Sequence, residues 1–471
     1  MLERIFQLQA HGTTVRRELT AGLITFLTMA YIIFVQPAVL SGHMFGRPTG
    51  MDFGSVMVAT CLSAALFSCL MGLYARYPVA LAPGMGENFF FVFSAIPAVA
   101  AAGYAEPWRV ALGMVFLSGL CFLVLSLAGV RESLFEAVST SMKHAISVGI
   151  GLFIAFIGLQ NAGVILKDPG TAVKLNHTLG SPDLVVFFTG FLVAAILQAR
   201  RFRGAILVGI AAATLMAVAL KIGLPRLGPA VWDSPIVRDS MLAKQFRIAN
   251  GVVSAPPSLA PTFLKLDVVS ALQPHLLPFM LIFLYMAVFD TMGTLIGVGE
   301  LAGLVREGKL VRAGRAFSTD AASSLVGSLL GTSTVTAYIE SSTGILYGGR
   351  TGLTAVATGV LFLLALFFSP IVEMVGSYPP ITASALVLVG AMMMRNITKL
   401  DWDEPSEAIP AFLVILGIPL SYSISDGLAL GFIAYPLIKA ASGRGREVRP
   451  LMWAMSALLA AYFIFVRSRL G

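Results

Sequence analysis

Gly331-Thr-Ser-Thr-Val-Thr336-Ala-Tyr-Ile-Glu340 decides the fold, read beside Pro83-Gly-Met-Gly86-Glu87-Asn88. Each stretch interrupts an apolar run with glycine, polar side chains and a carboxylate. A third carboxylate, Asp290, lies deep in an otherwise apolar segment, Tyr285-Met-Ala-Val-Phe-Asp-Thr-Met-Gly-Thr-Leu-Ile-Gly297. Ionisable groups at bilayer depth cost about 2.5–3.5 kcal/mol each on insertion scales, and they mark substrate or ion paths. Short, glycine-broken segments in matching positions of two halves point to the binding site of a transporter. The pattern is that of a secondary transporter.

Composition agrees. Of 471 residues, 57% are hydrophobic and 12% charged, and the mean hydropathy is +0.86. Soluble domains carry about 25% charged residues. A spanning helix needs about 20 apolar residues, and some twelve to fourteen such stretches fit, which leaves no room for a large soluble domain. The net charge of +8 does not form a nucleic-acid patch. Arg16-Arg17, Arg76, Arg131 with Lys143, Arg200-Arg201 with Arg203, Arg306 to Arg315, and Arg395 with Lys399 recur on alternate short connections. That is the positive-inside pattern; it predicts a multi-pass protein of the plasma (inner) membrane, in contact with lipid, with residues 1–17 cytoplasmic. Cys61, Cys69 and Cys121 lie in apolar spans and the five histidines show no ligand spacing, so neither a disulfide framework nor a metal site is expected. Met1 to Leu19 lacks the continuous apolar core of a cleaved signal peptide.

Predicted spans are 18–40, 53–74, 80–100, 107–129, 142–164, 182–199, 204–222, 270–299, 316–331, 332–347, 352–375, 380–395, 407–441 and 450–467. The stretch 407–441 is too long for one span and reads as two pieces interrupted at Ser421-Tyr-Ser-Ile-Ser-Asp426. The one long connection, 223–267, is proline-rich and external on this count. It separates a first repeat, 18–222, from a second, 268–471. About seven spans in each give the halves opposite orientation, an inverted-repeat plan with substrate near the midplane.

Gly84 to Asn88 reads as the start of a half-helix, whose free N–H groups suit an anionic or strongly hydrogen-bonding ligand. Alternatively, it is a tight packing turn with Asn88 capping its own backbone. Asp290 shares a helix face with Gly293 and Gly297, a small-residue stripe that admits a neighbouring helix or a ligand. Glu340 has the hydroxyls of Thr332, Ser333, Thr334 and Thr336 nearby. A carboxylate at that depth either bonds a neighbouring helix or passes a proton, as a proton-coupled carrier requires. His144 reads as an interfacial residue, Arg350 as a cytoplasmic anchor and Asp426 as a half-helix cap.

At these residues the chain resembles the AzgA-like purine permeases of the nucleobase–cation symporter-2 family. The matching stretches are Ala21-Gly-Leu-Ile-Thr-Phe-Leu-Thr-Met-Ala-Tyr-Ile-Ile-Phe-Val35, Ala82-Pro-Gly-Met-Gly86, Phe289-Asp-Thr-Met-Gly-Thr-Leu-Ile-Gly297, Gly331 to Ile345, Gly348-Gly-Arg-Thr-Gly-Leu-Thr-Ala355 and Ser423-Ile-Ser-Asp-Gly-Leu-Ala429. The resemblance implies an all-α polytopic protein of about fourteen transmembrane segments, two inverted repeats of seven, with core and gate domains. It implies that the third and tenth segments are each a short strand plus a half-helix. It implies purine contacts at Gly86, Asn88, Asp290 and Glu340, with Thr336 beside them, and proton coupling through Asp290 and Glu340. A homodimer is among its expected assemblies, and no cofactor is. Three positions depart from the pattern of that family: Glu87 where an apolar residue is usual, the heavy Phe89-Phe-Phe91, and Gln36 for a common Asn. Glu87 lies about 100° around the helix from Asn88 and joins the proton-carrying candidates.

The expected activity is proton-coupled import of guanine, hypoxanthine or adenine. Its competitors are a same-fold carrier of xanthine, uracil or an anion, an intramembrane enzyme, and a channel. An acidic site disfavours anions, no H-E-x-x-H or G-x-S-x-G motif serves an enzyme, and one acidic constellation suits alternating access better than a filter of repeated sites.

Overall fold

The computed structural model describes residues 2–128, 138–178, 180–306, 309–461 and 464. Arg131 and most of the chain beyond 461, with the end of the predicted 450–467 span, lie outside these residues. Among the described residues, ten helical segments are long and apolar enough to cross a membrane, from Val15–Leu40 to Ile424–Ala441. The protein is a helical, multi-pass membrane protein.

The elements that position the site are, in order, α1 (Val15–Met29), α2 (Ile32–Leu40), α3 (Phe53–Leu70), β1 (Leu81–Pro83), α4 (Met85–Ala101) and α5 (Pro107–Ala128). They continue with α6 (Thr140–Asn161), α7 (Pro182–Ala199), α8 (Ala205–Arg226), α9 (Leu277–Leu301), α10 (Ala313–Leu330), β2 (Val335–Ala337) and α11 (Ser341–Tyr347). The chain then runs through α12 (Gly352–Ala365), α13 (Pro379–Met393), α14 (Pro405–Ser421), α15 (Ile424–Ala441) and α16 (Pro450–Ala461).

β1 and β2 decide the architecture. They pair antiparallel, with Leu81 opposite Ala337, Ala82 opposite Thr336 and Pro83 opposite Val335. Two three-residue strands leave many backbone groups outside their own ladder, and hydrocarbon supplies no water to satisfy them. Neighbouring helices do so instead. Leu81 N–H donates to Ser68 Oγ at 2.9 Å, and that hydroxyl returns to Leu81 O. Ala80 N–H donates to Ser341 Oγ, while Ser323 and Ser324 both donate to Val335 O at 2.8 Å. Pro83 has no N–H to place, which suits an edge position, and its carbonyl accepts from Tyr338 Oη at 2.5 Å. Serines on α3, α10 and α11 thus do the work that a wider sheet would do. Gly331, at φ +99°, ends α10 in a conformation open to glycine and turns the chain into the strand.

One predicted span and the long connection take a different form, while 407–441 divides into two pieces as expected. The predicted 18–40 span is two helices, because Thr28 Oγ1 bonds back to Ile24 O and Thr25 O, a pattern that bends helices. The 407–441 stretch is α14 and α15, parted where Tyr422 takes φ +55°. Ser423 Oγ, rather than Asp426, caps α15 by accepting from Asp426 N–H. The 223–267 connection carries three one-turn helices. Buried Asp183 on α7 holds the last of them, accepting from Met241 N–H at 2.8 Å, Leu242 N–H at 2.9 Å and Tyr378 Oη at 2.6 Å.

Glu18 ties α1 to the turn before α12. It is fully buried and accepts from Arg350 N–H (2.8 Å), Thr351 N–H (3.2 Å), Thr351 Oγ1 (2.9 Å) and Thr354 Oγ1 (2.6 Å). Arg350 also reaches Leu301 O from its guanidinium, so the predicted anchor ties helices together. Glu18→Ala strips four donors of their acceptor and is expected to destabilise the protein by about 2–4 kcal/mol. Thermal unfolding of the detergent-solubilised variant checks this; an unchanged midpoint would refute the clamp.

Candidate functional site

The strand pair delivers two helix starts to one place. β1 runs into α4 through Gly84, whose N–H donates to Thr334 O at 2.9 Å. β2 runs through Tyr338 and Glu340 into α11. α9 and α10 pack against this crossing and contribute Asp290 and Asp320.

The face of α9 that holds Asp290 is open. Phe279 and residues 282–288 are buried, yet Asp290 and Gly293 are exposed. A methyl group added at Gly293 or Gly297 would meet nothing within 4 Å. The small-residue stripe therefore borders open space and not a packed helix. It runs from Asp290 toward exposed Glu300 at the end of α9, near the Arg350 guanidinium on Leu301 O. Lys143 on α6 sits 5.6 Å from the Phe289 ring centroid, on the same approach.

The other predicted residues surround the crossing. Glu340 is half-buried and accepts from Tyr31 Oη at 3.1 Å. Thr336 is buried and shares a hydroxyl contact with Thr291 at 3.2 Å. A methyl group added at Gly86 would meet Ile150 and Met286 at ordinary van der Waals range. Asn88 is fully buried in a polar knot: Gln36 Nε2 donates to Asn88 Oδ1 at 3.0 Å and to Thr332 Oγ1 at 2.9 Å. Asn88 Nδ2 returns a bond to Gln36 Oε1, and Ser333 Oγ donates to Asn88 Oδ1. Asn88 thus joins α2, α4 and the loop before β2, while Glu87 turns the other way, into electrostatic reach of Asp290 and Asp320.

Two further residues matter at the crossing: Gln36, noted in the sequence only as a departure from a common Asn, and Asp320, which was not noted. Gln36 sits on a short helix whose neighbours are apolar, and that isolation was its signal. Asp320 is fully buried on α10. It accepts from Ala337 N–H at 2.7 Å and from Thr291 Oγ1, so it pins β2 to α9. Its signal was a lone acid among the serines of Ser318-Thr-Asp-Ala-Ala-Ser-Ser324. Four carboxylates, Glu87, Asp290, Asp320 and Glu340, act on one another through this small volume. Farther out, rings of Phe89 and Phe93 on α4 meet Phe153 on α6, and Phe93 and Phe153 meet Tyr422 beyond α14.

Comparison with known proteins shows the family. A model described as "Permease family" matches residues 16–430. The guanine/hypoxanthine permease PbuG of Bacillus subtilis is 41% identical, covering 99% of this chain and 100% of its own length. The adenine permease AdeP of Escherichia coli is 40% identical, covering 99% of this chain and 96% of its own. Among solved structures, the transmembrane domain of a cyanobacterial bicarbonate transporter, BicA, shares the fold with a TM-score of 0.61 at 13% identity, over 88% of this chain and 97% of that one. The chain belongs to this permease family, the nucleobase–cation symporter-2 family, and is a transporter rather than an enzyme.

Asp320 offers a direct test of how the site is built. Asp320→Ala leaves Ala337 N–H and Thr291 Oγ1 without their acceptor, at a cost of about 2–3 kcal/mol. Asp320→Asn retains an acceptor for Ala337 N–H and is expected to lose less. Unfolding midpoints of the two variants check the order; equal losses would mean that the strand bond contributes nothing.

Proposed function

We propose that this member of the permease family imports purine nucleobases, guanine, hypoxanthine or adenine, by proton symport with alternating access. The observation that carries the reading is the open face of α9, where the Asp290 carboxylate stands beside the crossed strands. A flat, neutral base needs both donors and acceptors along its edge. Asp290 and Glu340 supply acceptors at the crossing, Tyr31 and Thr336 supply hydroxyls, and Gly86 and Asn88 line the start of α4. The names of PbuG and AdeP support purines as the substrate class.

Protons couple to this cycle through Asp290 and Glu340, with Glu87 beside them. A proton on either neutralises charge that the site otherwise holds in low dielectric, and a base that bonds the protonated form links its own binding to proton uptake. In this reading the repeats 18–222 and 268–471 build a fourteen-segment, inverted-repeat carrier with core and gate domains. β1 with α4 and β2 with α11 are its third and tenth segments. The connection 223–267 is external, residues 1–17 are cytoplasmic, and the protein works in the inner membrane, as a homodimer.

An anion carrier is the reading that the fold likeness to BicA brings forward. Four carboxylates at the crossing weigh against it, because each repels a second negative charge.

Proteoliposome uptake of labelled hypoxanthine, adenine, guanine, xanthine and uracil, with and without an inward proton gradient, tests the proposal. The expected result is gradient-stimulated uptake of one or two purines. Asp290→Asn and Glu340→Gln should each lower it about ten- to a hundredfold, the scale of losing a charged hydrogen bond to substrate. Uptake indifferent to the gradient would refute proton symport, and no purine uptake by folded protein would refute the substrate class.

A further inference from the structure

α6 serves as a ruler across the site. Near its start, Lys143 sits by the Phe289 ring, on the approach to Asp290. Farther along, Ile150 is level with the start of α4, where a methyl group added at Gly86 would stand 3.5 Å from it. Phe153, Phe156 and Gln160 follow, about 5–15 Å beyond Ile150 at 1.5 Å per residue. They and the open face of α9 therefore lie on opposite sides of the crossing.

That far side is closed by aromatic rings. Tyr422, at the break between α14 and α15, meets Phe93, Phe153 and Phe156 edge-on, at 5.4, 5.4 and 6.1 Å between centroids. Its hydroxyl donates to Gln160 Oε1 at 2.8 Å. Phe93 in turn lies 4.7 Å from Phe45 and 5.9 Å from Phe89, the residue after Asn88. Ser94 and Ser423, which follow Phe93 and Tyr422, bring their hydroxyl oxygens within 3.5 Å, and Ser425 N–H donates to Ser94 Oγ at 3.4 Å. α6 packs along α13 and α14, and α14 along α15. The contacts thus fasten α4, which bears Gly86 and Asn88, to a separate block of helices. Tyr422 holds φ +55°, a conformation that a tyrosine keeps only where its surroundings impose it.

We propose that Tyr422 and its ring partners form an aromatic seal that closes the site on the side away from the open face of α9, and that α4 parts from Tyr422 when a base crosses there. The seal rests on the alternating-access reading above, in which the site opens to one side at a time. Its ring pairs and hydroxyl bonds are individually weak and involve no charged group, so they part without stranding a buried ion. With the seal shut, Asp290 and Glu340 meet water and protons from one side alone.

Ser94→Cys/Ser423→Cys supplies the test, because the two oxygens already stand close enough for a disulfide to replace their contact. Hypoxanthine uptake by proteoliposomes and hypoxanthine binding are measured before oxidation with diamide, after it, and after reduction. Each single-cysteine variant, oxidised alongside, controls for Cys61, Cys69 and Cys121. The bridge should abolish uptake and leave binding at its unbridged level, and reduction should restore uptake. A bridged protein that still transports would overturn the proposal, as would one that loses binding along with uptake.

Labelling gives an independent measure, which decides should the pair not bridge. Ser94 is 4% exposed, so a hydrophilic maleimide should modify Ser94→Cys slowly, read by mass spectrometry at that residue. Adding Tyr422→Ala should speed the reaction about tenfold or more, the scale of three ring pairs and a hydrogen bond. Tyr422→Phe, which loses only the bond to Gln160, should fall between and decides should alanine not fold. Equal rates in all folded variants would overturn the seal. Unbridged protein that labels as expected yet takes up no purine would instead refute the transport reading on which the seal rests.

Discussion

The structure depends on one constraint: backbone N–H and C=O groups that leave a helix within a membrane must find partners inside the protein. Here two chain segments leave helical geometry at the same place and pair with each other, Leu81–Pro83 against Val335–Ala337. The ladder is too short to be self-sufficient. Ser68, Ser323, Ser324, Ser341, Asp320 and Tyr338 complete it from four directions. These bonds hold α3, α10 and α11 against the strands, and explain why those helices carry serine among apolar residues. They also place two helix starts, those of α4 and α11, after the opposite ends of one strand pair.

The surroundings of the strand pair are acidic, which shapes what they can hold. Glu87, Asp290, Asp320 and Glu340 stand within electrostatic reach of one another, and their environments differ. Asp320 is buried and bonded to Ala337 N–H and Thr291, so it serves the scaffold. Glu340 shares a bond with Tyr31. Asp290 is exposed on the glycine-lined face of α9. Structural, shared and open carboxylates are thus separated within one cluster, and in the proposed function the open one is where a ligand and a proton meet the protein first.

Much of this was legible in the residues. Carboxylates and broken apolar runs at 83–88 and 331–340 marked the crossing, because few residue patterns put glycine, hydroxyls and acid into a membrane span for another reason. The break in 407–441 was legible from Ser421 to Asp426, although its cap is Ser423. The bend in α1–α2 was not, since Thr28 bonding to its own helix has no marker in a hydropathy pattern. The role of Gln36, noted only as a departure from a common Asn, and Asp320 altogether were illegible for a related reason: each makes its bonds to segments distant in sequence, so neither stands in a recognisable local pattern. The partner of Asn88 could not be read from spacing either, because Gln36 and Ser333 lie on separate elements.

The central claim is that the base sits at the strand crossing, against Asp290 and Glu340. A cryo-electron-microscopy structure of the protein saturated with hypoxanthine addresses it most directly. The account predicts density for a flat ring between the open face of α9 and the starts of α4 and α11, with Asp290 or Glu340 within hydrogen-bonding distance of its edge. A well-resolved base bound elsewhere, with both carboxylates away from it, would contradict the account.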